Sequence, residues 1–321
     1  MSDMSYNVKS VFAEDVIALY PRLPKRANKG SCGRVLAICG SYDRQGAAMS
    51  GAAYFSASAA YRSGAGIVEI FTAEEIFSAL ASSLPEAVYS LYGNGEQESE
   101  ICARVKRSLS LADCVIIGCG LGKSKISRAI LKTVIENADC PLVLDADALN
   151  IISENQDMLS LLPEAQRHRT VVTPHPREMM RLCGKSVDEI LKSTVATAVD
   201  FAREYQIICL LKDNQTVISD GEAAYVNHSG NPGMASAGMG DILSGIIGAM
   251  LARENLKSKS GRDEPDYTLS VAVAAYIHGI AGDMARDEFG EYSLMASDLL
   301  AKIPNAISKY CSCEIGKTNK I

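Results

Sequence analysis

Residues 113–120 read Asp-Cys-Val-Ile-Ile-Gly-Cys-Gly, an apolar run without polar alternation that closes on glycines. A strand with one face in water alternates apolar and polar residues, whereas a strand covered on both faces does not. This run therefore predicts a central strand of a largely parallel sheet with helices on both sides. Runs of the same kind recur: GRVLAICG (33–40), GIVEIFT (66–72), PLVLDADALN (141–150), TVVTPHP (170–176) and IICLLKD (207–213). Helix-like segments lie between them, including an Ala- and Ser-rich stretch from Gly46 to Arg62 that suits close packing against the core or a neighbouring subunit. Thr72 stands where it could cap the helix after its strand. TVISD (216–220) and AAYVNHS (223–229) flank Asp220-Gly221, which predicts a hairpin and a small antiparallel piece at one side of the sheet. From Gly240 the chain reads as helix, with a charged break at 254–266 and a weakly ordered tail from about 304. The expected fold class is α/β, a three-layer α/β/α arrangement, in one domain spanning 1–321.

Composition removes several function classes. A net charge of −6 does not supply the basic stripe that nucleic acid needs. No run of 18 or more apolar residues is present, so no membrane span is expected, and the N-terminus lacks the pattern of a secretory signal. The ten cysteines are scattered, several inside apolar runs, as expected of small buried side chains in a reducing, cytoplasmic setting. Cys311 and Cys313 form the one close pair, without the second pair or histidines of a metal site.

In sheets of this kind ligands bind beyond the carboxyl ends of the strands. That rule selects Gly40-Ser41, Gly118 to Gly122, Asp145 to Asn150, Thr173 to Glu178 and Lys212 to Thr216. A further loop, Asn231 to Gly245, carries Gly233, Gly238 and Gly240 just before a helical apolar run, so the glycines open a helix N-terminus that attracts phosphate. Asp241 stands at that mouth, either as a base near a phosphoryl group or as a plain N-cap. His175, between two prolines, reads as a loop imidazole free to meet a ligand. Lys212 follows an apolar strand and should emerge beside Asn214, Gln215 and Thr216, while His278 lies in an apolar helix and reads as core.

These strand-end motifs, taken in order, resemble the ADP/ATP-dependent NAD(P)H-hydrate dehydratases of the ribokinase-like superfamily, over roughly residues 20–303. The carrying stretches include KGSCGRVLAICGS (29–41), IIGCGLG (116–122), PLVLDADALN (141–150), TPHPREM (173–179), LKDNQTVI (211–218) and NPGMASAGMGDILSG (231–245). The resemblance implies repair of hydrated NADH or NADPH: a nucleotide phosphorylates the ring hydroxyl, and loss of phosphate restores the double bond. It implies Asp241 as catalytic residue, with Ala52, Gly120, His175 and Asp241 at the hydrated dinucleotide. It implies Lys212, Asp213, Asn214, Gln215, Thr216 and Gly240 at the nucleotide, and the amides of Ala237, Gly238, Met239 and Gly240 as an anion hole. ADP or ATP is the implied co-substrate, with a lean to ADP, and a homotetramer in the cytoplasm is expected.

Phosphoryl transfer between anionic groups calls for a divalent cation such as Mg²⁺. No direct ligand is assigned; Glu178 could stand behind the ion, or be an ordinary exposed glutamate at a helix start. Asp145 and Asn150 are expected to face the same crevice. The chain departs from the family pattern at Asp213, Ala237, Met239, Cys119 and Asn28, where glycine, glycine, a small hydroxyl residue, proline and histidine are usual. A positive φ at Ala237 would strain the cradle. The many fused members carry an N-terminal epimerase domain, and this chain reads as the stand-alone form. A small-molecule kinase of the same superfamily, or a nucleotide-sensing protein without turnover, would share the glycine loop and aspartate.

Overall fold

The computed structural model describes residues 7–11, 13–20, 23, 25–43, 46–261 and 264–311. Ten strands form one sheet: β1 (Asn7–Lys9), β2 (Arg34–Ile38), β3 (Ile67–Ala73), β4 (Val88–Tyr92), β5 (Cys114–Ile117), β6 (Leu142–Leu144), β7 (Thr170–Val172), β8 (Ile208–Leu211), β9 (Thr216–Ser219) and β10 (Ala223–Asn227). Their order is β1-β10-β9-β8-β7-β6-β5-β2-β3-β4. All pairs are parallel except those of β9 with β8 and with β10. The expected antiparallel piece is therefore β9, turned back at Asp220-Gly221, where Asp220 Oδ1 accepts from the amides of Glu222 and Ala223. Strands β1 and β4 have no counterpart in the sequence reading. β1 is exposed along its length, and β4 is mostly half-buried, so neither carries the buried apolar run that marks the others.

Side chains of the central strands divide between two cores, as a period of two requires. Val35, Ala37, Cys114 and Ile116 pack with the helices Ser50–Arg62, Met239–Lys259, Tyr267–Phe289 and Ala296–Cys311. Leu36, Ile38, Val115 and Ile117 point the other way, toward the helices at 98–109, 125–137, 147–154 and 194–205. The result is the three-layer α/β/α arrangement. The Ala- and Ser-rich helix starts at Ser50 rather than Gly46 and faces this core: a Cβ on Gly245 would lie 2.2 Å from Ser56 O, so the helices at 50–62 and 239–259 touch backbone to backbone.

Two local expectations are corrected. Thr72 ends inside β3 and donates to Gly40 O, so it caps nothing. The tail from 304 is not weakly ordered through Cys311: the helix Ala296–Cys311 continues past Pro304 because Ile303, Ala306 and Tyr310 are buried. Residues 312–321, including Cys313, lie outside the described residues. The helix Tyr267–Phe289 is long and apolar enough to cross a membrane, and 72% of its most apolar window is buried inside this fold, as in a core helix.

Candidate active site

The carboxyl ends of β5, β6, β7 and β8 meet the N-terminus of the helix Met239–Lys259. Asp145 follows β6 and is 2% exposed. Its Oδ1 accepts from Lys212 Nζ at 2.9 Å and from the Ala146 amide, and its Oδ2 accepts from Ser244 Oγ at 2.7 Å. Burial pushes the Asp145 carboxyl up, but the Lys212 charge and these hydrogen bonds outweigh it, so the group sits below the ordinary aspartate value. Burial likewise opposes the charge on Lys212, and Asp145 and Glu178 more than restore it. The pair is a buried ion pair whose lysine keeps 22% exposure.

That pair is built on a strained turn. Ala146 has φ 47° and ψ −112°, a conformation costly to a residue with a Cβ. Gly118 makes room for it, because a Cβ there would lie 1.8 Å from Asp145 O. Among the described residues, the non-glycine positions with positive φ are Ala146 and Gln206. Ala237 and Asp213 are not among them, so their departures from glycine put no strain on the cradle.

The helix at Met239 opens on Gly238, with φ 92°, and no side chain caps it. Its first amides are therefore left for a ligand. Asp241 is not the N-cap; it stands in the first turn, half-buried. Burial first, then the charge of Asp145, raise its carboxyl to about 6. Gly240 has the room this arrangement needs: a Cβ there would lie 3.5 Å from Lys212 Nζ.

A cavity of about 820 Å³ opens beside this point. Lys212, Asp213, Asn214, Thr216, His175 and Gly240 line it, as do Ala237 and Met239. Gln215, Gly238 and Asp241 do not. Asp241 has Asp145 and Cys119 as neighbours instead. Gly120, next to Cys119 in the chain, lies against Ala52 and Met49.

His175 is the N-cap of the helix Pro176–Cys183 and not a free loop imidazole. Its Nδ1 accepts from the amides of Arg177 and Glu178, at 3.1 and 3.2 Å. The proton of the neutral ring is then on Nε2, which lies 3.4 Å from Glu178 Oε1. Burial and the charges of Lys212 and Arg181 lower its pKa, so the ring stays neutral. The exposed-glutamate expectation fails for Glu178, which is 6% exposed because its Oε2 turns back to accept from His175 N at 2.9 Å, closing a capping box. His175→Ala is expected to cost about 1 kcal/mol by loss of the cap, with His175→Asn recovering most of it, as read by thermal melting.

Asn150 lies in the helix Asp147–Glu154, where its Oδ1 accepts from Arg181 Nη2 at 2.8 Å and its Nδ2 donates to Asp147 Oδ1 at 3.3 Å. His278 is buried as expected, and its Nε2 bonds Met239 O at 3.0 Å, tying the first residue of the glycine-opened helix to the core. Ser244 is a functional side chain that the sequence reading passed over. Its signal was present: it is a polar residue in an apolar helical run, three positions after Asp241 and so on the same face.

A mostly parallel sheet with both faces covered, a cavity at its strand ends and a glycine-opened helix beside it make a ribokinase-like α/β protein. A family profile described as NAD(P)H-hydrate dehydratase matches residues 35–305. The chain belongs to this family. It is 39% identical over 289 residues to a bifunctional NAD(P)H-hydrate repair enzyme of Coxiella burnetii, covering 88% of this chain and 52% of that protein. It is 30% identical over 306 residues to the ADP-dependent (S)-NAD(P)H-hydrate dehydratase of Bacillus subtilis, covering 95% of this chain and 99% of that one. The crystal structure of the Bacillus subtilis ADP/ATP-dependent NAD(P)H-hydrate dehydratase, co-crystallized with ATP/Mg²⁺, superposes with a TM-score of 0.76 at 28% identity, over 96% of this chain and 99% of that one. The chain spans about half the length of the bifunctional relatives it matches.

Proposed function

We propose that the protein dehydrates hydrated NADH or NADPH at the expense of a nucleotide, ADP or ATP. The observation that carries this reading is the uncapped helix N-terminus with Asp241 in its first turn, beside the cavity that Lys212 and Gly240 line. The nucleotide occupies the cavity along Lys212, Asp213, Asn214 and Thr216, with Gln215 in the same run, and its phosphates reach Gly240. The hydrated ring lies along Ala52 and Gly120. His175 offers its Nε2 proton to an acceptor oxygen of the ligand.

Asp241 takes the proton of the ring hydroxyl as that oxygen attacks the terminal phosphorus, and the P–O bond to the rest of the nucleotide breaks, its electrons leaving on AMP (from ADP) or ADP (from ATP). The amides from Ala237 to Gly240, with Lys212, oppose the charge that builds on the moving phosphoryl group. The phosphate then departs with its C–O bond electrons. Loss of the neighbouring C–H proton restores the ring double bond.

Among the described residues no three His, Cys, Asp or Glu side chains cluster as a metal site. Mg²⁺ keeps several waters and is held largely by phosphate oxygens, so it needs no such cluster, and the buried Glu178 would stand behind those waters. Bound there, the cation would neutralise phosphate charge. The cysteines at 32, 39, 102, 114, 119, 140, 183 and 209 are free, which supports a reducing, cytoplasmic setting. Family resemblance supports a homotetramer, to be checked by light scattering.

The test is recovery of reduced-nicotinamide absorbance when purified protein meets hydrated NADH, Mg²⁺ and ADP or ATP. No recovery with either nucleotide from folded protein overturns the reading, and a stable phosphorylated product would point to a kinase. Turnover should fall as pH drops through about 6, where Asp241 takes up its proton.

A further inference from the structure

The segment from Asn227 to Met239 joins β10 to the glycine-opened helix, and Gly230, Asn231, Pro232, Met234, Ala235 and Ser236 in it wall the cavity. It carries Gly230, Gly233 and Gly238, and residues 235–237 are exposed, so its own packing does little to fix it. The helix Tyr267–Phe289 holds both ends. At one, Asn227 Nδ2 donates to Ala275 O at 3.3 Å; at the other, His278 Nε2 bonds Met239 O. Asp283, on the same helix, holds the middle. Its Oδ2 accepts from the Gly230 amide and its Oδ1 from Asn231 Nδ2, each at 3.0 Å. Asn231 Oδ1 in turn accepts from the Gly233 amide at 3.1 Å, capping the short turn Pro232–Met234. Met234 then lies over Gly282, where a Cβ would collide with its Sδ. Among the described residues, Asp283 is the one side chain outside the segment 230–236 that hydrogen-bonds to it.

We propose that Asp283 is a positioning residue for the nucleotide: by holding Gly230 and Asn231 it fixes the cavity wall and so sets nucleotide affinity. The inference rests on the reading that the nucleotide occupies this cavity. Asp283 does not itself line the cavity, and acts through the two residues it holds. A wall free to move must be ordered when the ligand arrives, and that ordering is subtracted from binding; a wall already held escapes the loss. Both bonds are made to a carboxylate, and such bonds are stronger than those between neutral groups. Arg286 Nη1 stands 3.5 Å from Asp283 Oδ1 while its Nη2 donates to Asp287, so a cation on the same helix faces the carboxylate without taking the place of either wall contact.

The experiment exchanges the two partners. Asp283→Asn removes the charge and turns one acceptor into a donor that faces Asn231 Nδ2. Asn231→Asp sets a second carboxylate against Asp283. The double exchange, Asp283→Asn with Asn231→Asp, restores every bond: the new amide donates to the new carboxylate and accepts from Gly230, and the new carboxylate still accepts from Gly233. ADP with Mg²⁺ is titrated calorimetrically into each protein, and KM for ADP and for hydrated NADH is measured beside kcat. Each single variant is expected to bind ADP about tenfold more weakly, and the exchange should recover most of that loss. KM for hydrated NADH, and kcat at saturating ADP, should change less than about threefold. A merely structural aspartate would lower the melting temperature and leave ADP affinity in the folded protein as it was. Single variants that bind ADP like the wild type, or an exchange that binds no tighter than they do, overturn the proposal. Should the variants fail to fold, hydrogen exchange of the wild type decides. The Gly230 amide is expected to be protected before ADP is added, and an unprotected amide overturns the proposal equally. Failure of the underlying reading looks different: the wild type itself would bind no ADP.

Discussion

Asp241→Asn is expected to lower turnover by roughly two to four orders of magnitude while nucleotide affinity changes only a few-fold. The amide side chain cannot take the hydroxyl proton, but it leaves the backbone amides of the helix N-terminus in place. The same substitution should raise stability. The Asp241 carboxyl titrates at about 6 in the folded protein, against 3.8 for an ordinary aspartate, because burial and then Asp145 disfavour its charge. Below about pH 4 the group is protonated folded or unfolded, and the fold loses nothing. As pH rises through 6 the folded protein must ionise a carboxyl in a place that resists it, and stability falls. Asparagine removes that cost, so the variant should melt higher at pH 7.5, by on the order of 1–2 kcal/mol, with the gain fading toward pH 4. A variant that retained turnover, or that melted lower than the wild type at pH 7.5, would contradict the role given to this residue.

Lys212→Met is expected to cost about 3–5 kcal/mol of stability and to weaken nucleotide binding strongly. Methionine fills the space of the lysine stem but leaves the Asp145 carboxylate buried without its counter-ion. Ser244 and the Ala146 amide remain as partners, and they do not supply a charge. The pH dependence carries the sign. In the wild type the Asp145 carboxyl lies below its ordinary value, so its contribution to stability is present above about pH 4 and is lost as pH falls through the folded pKa. In the variant that contribution is gone, and burial alone favours a proton on Asp145. The gap between the two proteins should therefore be widest near neutrality and narrow in acid. Denaturant melts across pH, with nucleotide titrations at neutral pH, measure both effects. A variant of wild-type stability would mean that the pair is solvated, against its burial here.

Most of the sheet was legible because its central strands are apolar on both faces, and such runs have few other uses. The outer strands were not: β1 is exposed along its length and β4 is mostly half-buried, so their sequences look like loop. The tail was misread at Pro304, which usually ends a helix. Here packing of Ile303, Ala306 and Tyr310 carries the helix past it.

At the site, Asp241, Lys212, His175 and the glycine loop could be found in the chain because each follows a strand or opens a helix. Whether Asp241 caps that helix could not be, since capping depends on the backbone angles of Gly238 and not on residue type. The sequence suggested a loop imidazole at 175 from its two prolines; the fold made it a helix cap whose proton is held on Nε2.

Residue order alone, then, specifies an α/β sheet, the strand-end loops that bear the chemistry and the acid at the helix mouth, because periodicity and glycine placement are local properties. Contacts between distant segments were left to the tertiary structure. Asp145 meets Lys212 across 67 residues and Ser244 across 99, and Cys119 reaches Asp145 across 26. Those meetings set the charge state of each group, since burial and neighbouring charge exist only once the chain has folded.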